Sequence, residues 1–351
     1  MADARPRVWV SQPLFDEEIE RLGQYFDVRA TAEVNRYSPE QVAANLAGVE
    51  GALITLNERV GAAEVAGANA LRAIANVGVG YNNLDLPALS AAGILASNTP
   101  DVLTETTADL GFALLMAAAR RITESERWLR EGQWRQWSFR TMLGRDVHGS
   151  TLGILGMGRI GQGIARRGAL GFGMKVLYHN RSRLPAEVEA QTGARHVGFD
   201  ELLAQADHLV LVLPYTPQSH HLIDRAALAK MKSSATLVNI ARGGLVDEIA
   251  LADALASGRL AAAGLDVYEG EPAVRAELLA LRNVVLTPHI GSASLDTRRA
   301  MVALAVDNLI AALGQGPDAG RPPSALNLAQ VEAGKTGGET VRAGKIGDEK
   351  R

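Results

Sequence analysis

Three charged residues of this chain stand just beyond strand-like apolar runs, the position where open α/β sheets meet their ligands. Arg242 follows the run 237–240 in NIARGGLVDE, Glu271 follows 262–266 in GLDVYEGEP, and His289 follows 284–286 in LTPHIGSAS. Taken singly, each reads as an ordinary ion pair or a hydrogen-bonded histidine. Delivered by three separate strands to one edge, beside a nicotinamide, they suit reduction of a 2-oxo acid. A guanidinium can grip a carboxylate with two parallel N–H bonds and stabilise charge growing on a carbonyl oxygen. A protonated imidazole can supply the proton as hydride attacks, and neutral imidazole can act as base in the reverse direction. A carboxylate beside it orients the ring and favours its protonated form.

The nicotinamide is implied by a glycine turn. Gly156-Met157-Gly158-Arg159-Ile160-Gly161 follows the strand-like run 152–155 and opens a helical pattern. Gly156 permits the tight turn, Gly158 lets backbone approach a pyrophosphate, and Gly161 lets the helix pack on its strand. Arg159 and Ile160 begin the helix whose free N–H groups face the phosphates. A dinucleotide site for NAD usually carries an acid at the end of the second strand. Here that strand ends Tyr178-His179-Asn180-Arg181-Ser182-Arg183, with no carboxylate to repel a 2′-phosphate. Asn180, Arg181, Ser182 and Arg183 are therefore candidates to bind one, so NADPH is expected to be preferred, with NADH possible.

The elements that must position these residues come in two series. Apolar runs at 8–10, 52–55, 74–77 and 94–97 alternate with helical patterns at 16–25 and 39–46. A long helix is expected over 103–121. A second series places strands at 152–155, 175–178, 208–213, 236–240, 262–266 and 284–286, separated by helical patterns at 160–168, 199–204, 225–231 and 248–257. Such alternation predicts an α/β protein with two doubly wound parallel sheets. A last helix is expected over 296–313, and a Gly/Pro-rich linker over 315–323.

Composition sets the outer bounds. The 351 residues are room for two domains, and 47% hydrophobic with 21% charged residues is an ordinary globular balance. A net charge of −3 excludes general attraction to nucleic acid or to an anionic membrane. The chain has no cysteine, which excludes disulfides, thiolate metal sites and a cysteine nucleophile. The N-terminus lacks an apolar signal core and the longest helical apolar run, 110–119, is too short to span a bilayer, so a cytoplasmic protein is expected. Residues 329–351 are poor in apolar side chains and are expected to be a disordered tail.

The motifs GMGRIG, NIARGGLVDE, AAGLDVYEGEP and TPHIGSAS, in that order, resemble the D-isomer-specific 2-hydroxyacid dehydrogenases. Within that family the chain looks most like glyoxylate/hydroxypyruvate and 2-ketogluconate reductases, over about residues 7–315. The resemblance implies a Rossmann-type cofactor domain (101–290) inserted into a flavodoxin-like substrate domain (1–100 and 291–328). It also implies an active site between the domains, hinge closure, a homodimer and a D-2-hydroxy acid product. Arg242, Glu271 and His289 match the family's catalytic residues. NVGVGYNNLD matches the loop whose Val79 and Gly80 N–H groups bind the substrate carboxylate. Thr107, Pro214, Ile240, Ala241, Asp266 and Gly291 match cofactor-lining positions, and 180–182 matches the NADP-preferring pattern. Arg298, in SLDTRRAM, matches a basic position near the substrate pocket; an exposed helix arginine is the alternative.

One departure bears on the substrate. Many glyoxylate reductases carry a tryptophan just before the LG of the dimer-loop segment, which here reads WRQWSFRTMLGRD, with Thr141 and Met142 instead. Trp134 and Trp137 lie nearby and read as dimer-interface core. Bulkier 2-oxo acids therefore stay open beside the small ones. Formate or phosphite oxidation is a runner-up chemistry, and a nonenzymatic NAD(P)-sensing protein on the same fold is the alternative from another class. His220 and His221 are adjacent, but no third ligand stands at metal spacing, so no metal is expected.

Overall fold

The computed structural model describes residues 5–333, which divide into two compact units. The first takes the described residues up to Leu103 and from Ser294 onward; the second is Thr104–Ala293.

The first unit opens with β1 (Arg7–Val10), α1 (Asp16–Gly23), β2 (Asp27–Ala30), α2 (Pro39–Leu46) and β3 (Gly51–Ile54). It continues with α3 (Ala62–Val65), β4 (Ala73–Asn76), α4 (Leu86–Ala91) and β5 (Leu95–Ser97). Its sheet is entirely parallel, in the order β2-β1-β3-β4-β5. Every residue of β3 and β4 is buried, which is why these strands read as continuous apolar runs rather than alternating ones. Strand β2 escaped the sequence reading because it is an exposed edge strand, DVRA, with no apolar period. Helix α2 begins where the sequence says it should. Ser38 Oγ accepts from Gln41 N–H, the Gln41 side chain accepts from Ser38 N–H, and Pro39 stands in the first turn.

The second unit comprises α5 (Thr104–Ala119), α6 (Ile122–Arg130), β6 (Thr151–Leu155), α7 (Arg159–Arg166), β7 (Lys175–His179), α8 (Ala186–Ala190), β8 (Arg195–His196), α9 (Phe199–Gln205) and β9 (His208–Leu211). After these come α10 (Arg225–Lys230), β10 (Thr236–Asn239), α11 (Glu248–Ala256), β11 (Ala262–Leu265), α12 (Ala276–Ala280) and β12 (Val284–Leu286). The seven strands are parallel in the order β12-β11-β10-β9-β6-β7-β8, one more than expected, because the two-residue β8 is too short to leave a pattern. Successive side chains point to opposite faces. Leu209, Leu211 and Leu237 enter the core beneath α9–α12, while Val210 and Val238 enter the core beneath α5 and α7.

The chain order reverses beside β6, which lies between β7 and β9. That is the switch point at which doubly wound sheets bind ligands. Helix α13 (Leu295–Ala312) returns to the first unit, capped by Ser294 Oγ on Thr297 N–H. The tail expected to be disordered from 329 opens differently. Residues 328–333 are helical, Val331 is buried, and its N–H donates to Asn327 O at 3.1 Å. The rest of that expectation lies outside the described residues. No helix among the described residues is long and apolar enough to cross a membrane.

Candidate active site

Strands β10, β11 and β12 are adjacent and parallel, so their carboxyl ends deliver Arg242, Glu271 and His289 side by side. His289 Nδ1 lies 2.7 Å from Glu271 Oε2, and Glu271 Oε1 accepts from Tyr268 N–H at 2.8 Å. With Nδ1 committed to the carboxylate, Nε2 is the nitrogen left for a reacting group. Both side chains are about one-third exposed, buried enough to be oriented and open enough to be reached. Burial pushes the Glu271 carboxyl up. The His289 hydrogen bond and charge, the Tyr268 N–H and the Arg242 charge together outweigh it and hold the group below its ordinary value. Burial lowers the Arg242 guanidinium, opposed by the Glu271 charge, so the three residues form one coupled set. Arg242 Nη1 donates to Ala241 O at 2.6 Å, which steadies the fork.

The loop carrying His289 is fixed by a buried carboxylate. Asp266 Oδ1 accepts from Thr287 Oγ1 at 2.6 Å and from Ile290 N–H at 2.8 Å, and Oδ2 accepts from Gly291 N–H at 2.8 Å. His289 N–H donates to Asp266 O at 2.9 Å, and the residue takes the left-handed backbone, φ +52°. A bulky residue in that region is held there by its surroundings. The loop carrying Glu271 is fixed in turn by Gly243. A Cβ on Gly243 would lie 1.9 Å from the Tyr268 carbonyl carbon, so the loops after β10 and β11 touch backbone to backbone. Glu248, fully buried at the head of α11, accepts from Glu269 N–H at 2.7 Å and pairs with Arg275 at 3.5 Å. Asp266, Gly243 and Glu248 thus fix the backbone of the loops that carry His289 and Glu271. The sequence reading named Asp266 but not Gly243 or Glu248, which only their places in ARGGLVDE, next to Arg242, could have marked.

The glycine turn has the form a dinucleotide requires. Gly156 takes φ +101°, and a Cβ there would sit 2.6 Å from Leu213 N. A Cβ on Gly161 would sit 2.5 Å from Gly156 O. At Gly158 nothing lies within 4 Å, so the chain itself does not require glycine there and the space in front of the turn is open. Gly158 caps α7, and the Ile160 and Gly161 N–H groups of its first turn have no intrahelical acceptor. Thr107 on α5 packs against Gly291, a Cβ on which would lie 3.4 Å from the threonine methyl and 3.3 Å from Asp266 Oδ2. Ile240 and Ala241 are buried at the end of β10, and Pro214 is exposed beyond β9.

At the end of β7 the structure divides the basic loop. Arg183 is forked onto the buried Glu189, with Nε–Oε1 at 2.9 Å and Nη2–Oε2 at 2.7 Å. Tyr178 Oη donates to the same carboxylate at 2.7 Å, and Arg183 and Tyr178 hold its pKa at about 2. Two free guanidinium groups were expected there; Arg183 is committed because a buried carboxylate needs a partner. Asn180 Oδ1 accepts from Met157 N–H at 2.7 Å and ties the loop to the glycine turn. Arg181 and Ser182 are exposed.

Val79 and Gly80 follow β4 in the first unit, and Arg298 stands half-buried in the first turn of α13. The third group that the sequence did not reveal beside His220 and His221 is Glu269, 3.1 Å from His221 Nε2. The two imidazoles stack face to face at 3.8 Å and 23°, and one ligand atom from each of the three residues lies within 4.8 Å of the others.

A parallel sheet with a glycine turn at its switch point and a histidine–carboxylate pair at neighbouring strand ends is the frame of a nicotinamide-linked dehydrogenase. Residues 112–291 match the family described as "D-isomer specific 2-hydroxyacid dehydrogenase, NAD binding domain". A glyoxylate reductase of Thermococcus kodakarensis is 42% identical over 337 residues, 95% of this chain and 99% of the relative. Glyoxylate/hydroxypyruvate reductase B of Escherichia coli is 46% identical over 310 residues, 88% of this chain and 95% of the relative. The crystal structure of an NADPH-dependent glyoxylate/hydroxypyruvate reductase from Sinorhizobium meliloti, in complex with NADP and malonate, superposes with a TM-score of 0.81. It is 33% identical and covers 93% of this chain and 98% of that one. The chain belongs to the D-isomer-specific 2-hydroxyacid dehydrogenase family of oxidoreductases.

Proposed function

We propose that this protein reduces a small 2-oxo acid of the glyoxylate, hydroxypyruvate or 2-ketogluconate class to the D-2-hydroxy acid, using NADPH. The observation that carries the chemistry is the 2.7 Å His289–Glu271 contact, which leaves Nε2 of an oriented imidazolium as proton donor. The dinucleotide whose pyrophosphate the glycine turn would hold would supply the hydride from its nicotinamide. Arg242 holds the carboxylate and draws the charge that gathers on the carbonyl oxygen. The Val79 and Gly80 N–H groups also hold the carboxylate, and Arg298 contacts the substrate. Thr107, Pro214, Ile240, Ala241, Asp266 and Gly291 frame the cofactor site, with Asp266 acting as the clamp of the His289 loop. The test is NADPH oxidation on adding hydroxypyruvate, followed by chiral analysis of the glycerate. D-glycerate is expected; L-glycerate, or no oxidation with any 2-oxo acid, would overturn the reading.

The preference for NADPH rests on Arg181 and Ser182, exposed at the end of a strand that carries no acid. A charge-assisted hydrogen bond to a 2′-phosphate contributes about 1.5–3 kcal/mol. Arg181→Ala is therefore expected to raise the KM for NADPH roughly tenfold to a hundredfold and to leave the KM for NADH unchanged. Equal changes for both cofactors would place the phosphate elsewhere.

The segment after α6 leaves Trp134, Trp137, Phe139 and Leu143 all more than half exposed. Apolar side chains gathered on one exposed segment mark an association surface. We propose that a second copy of the chain covers them in a homodimer. Sedimentation equilibrium should return twice the 37.2 kDa chain mass; a monomer at micromolar concentration would rule this out.

A further inference from the structure

The loop after β4 has three consecutive carbonyls under control. Thr99 N–H donates to Gly78 O at 3.0 Å, Asn98 Nδ2 to Val79 O at 2.8 Å, and Asn76 Nδ2 to Gly80 O at 3.0 Å. Gly78 O and Val79 O thus both turn toward the segment 98–99 that follows β5. In an extended strand, consecutive carbonyls point to opposite sides. In a trans peptide the N–H points away from its own carbonyl. The Val79 and Gly80 N–H groups are therefore both turned away from segment 98–99, and neither has a partner among the described residues. Two adjacent peptide N–H groups facing one way form a cradle for an anion.

The two asparagines are built into the unit. Asn76 is fully buried and Asn98 is 7% exposed. Asn76 Oδ1 accepts from Asn83 Nδ2 at 3.1 Å, which leaves its own Nδ2 to face Gly80 O. Asn83 Nδ2 also reaches Thr55 O at 3.1 Å and Glu58 O at 2.9 Å. Asn98 O accepts from Ser324 Oγ at 2.6 Å, and Ser324 N–H donates to Asn308 Oδ1 at 2.8 Å, so α13 anchors the backbone of Asn98. At either position a carboxylate could not donate to the loop, and an alanine would release a carbonyl.

We infer that Asn98 and Asn76 are positioning residues that aim the Val79 and Gly80 N–H groups and so set affinity for the substrate carboxylate. This rests on the function proposed above. A carboxylate gripped alike in ground and transition states contributes to KM and not to kcat. Asn98→Ala is expected to raise the KM for glyoxylate and the inhibition constant of oxamate together, about tenfold. The KM for NADPH and kcat at saturating glyoxylate should stay within about twofold. A merely structural asparagine would move the NADPH parameters and kcat as well, and that pattern would overturn the inference. Should Asn98→Ala not fold, Asn98→Ser keeps a small polar group there but is too short to reach Val79 O, and it carries the same expectation. Wild-type KM and oxamate inhibition in the folded variant would overturn the positioning role alone. A wild-type protein that neither oxidises NADPH with a 2-oxo acid nor binds oxamate would overturn the functional reading with it.

Discussion

His289→Ala is expected to lower kcat for 2-oxo acid reduction by about a hundred- to ten-thousand-fold, the range set by losing a positioned general acid. NADPH should bind as tightly as to the wild type, because the glycine turn after β6 and the loop after β7 lie four and five strands away from β12 in the sheet. The loop itself should survive, since Asp266 holds it through Thr287, Ile290 and Gly291 rather than through the His289 ring. Alanine at a left-handed position adds some strain, which a thermal melt would register separately. Stopped-flow turnover together with NADPH fluorescence titration checks both halves of the expectation. Near-normal turnover would remove His289 as proton donor.

The second large effect is expected in the pH profile of Glu271→Gln. The His289 charge and hydrogen bond hold the Glu271 carboxyl below its ordinary value. The pair sets the ionised carboxylate 2.7 Å from the ring that must carry the proton for reduction. Reduction needs that proton and fails as pH rises past the point where the ring loses it. Glutamine keeps a similar shape and can still accept from Tyr268 N–H, but it brings no charge. The alkaline limit of kcat/KM for reduction should therefore move to lower pH. Oxidation of the 2-hydroxy acid, which uses the neutral ring, should gain activity over the same interval. An unmoved profile would mean that the pair does not act together.

Much of this was legible because the chemistry leaves local marks. The glycine turn is a contiguous motif, and its three glycines answer three separate steric demands. The charged residues each follow an apolar strand, so their shared edge follows from the alternation alone. What was not legible depended on partners far along the chain. Arg183 looks free beside Arg181 until α8 brings a buried Glu189 against it, and nothing in the local pattern announces that Glu189 is buried. Glu269 meets His221 across 48 residues, because the loops after β9 and β11 both pack on the loop after β10, which lies between them. Strands β2 and β8 were missed for a different reason. One is exposed and the other spans two residues, so neither carries the apolar run by which the other strands were recognised. The asparagines behind Val79 and Gly80 were invisible, since a buried amide in a loop resembles any turn residue until its acceptor is known.

Initial rates test the cofactor, the substrate class and the proton donor together. NADPH and NADH should be compared against glyoxylate, hydroxypyruvate, 2-ketogluconate, pyruvate and a bulky aromatic 2-oxo acid. A large kcat/KM advantage for NADPH with one or two of the small acids is expected. A preference for the bulky acid would keep the mechanism and move the substrate, pointing to the segment around Thr141 and Met142. Tight NADPH binding with no oxidation by any of these acids would contradict a reductase and leave a nucleotide-binding protein in its place.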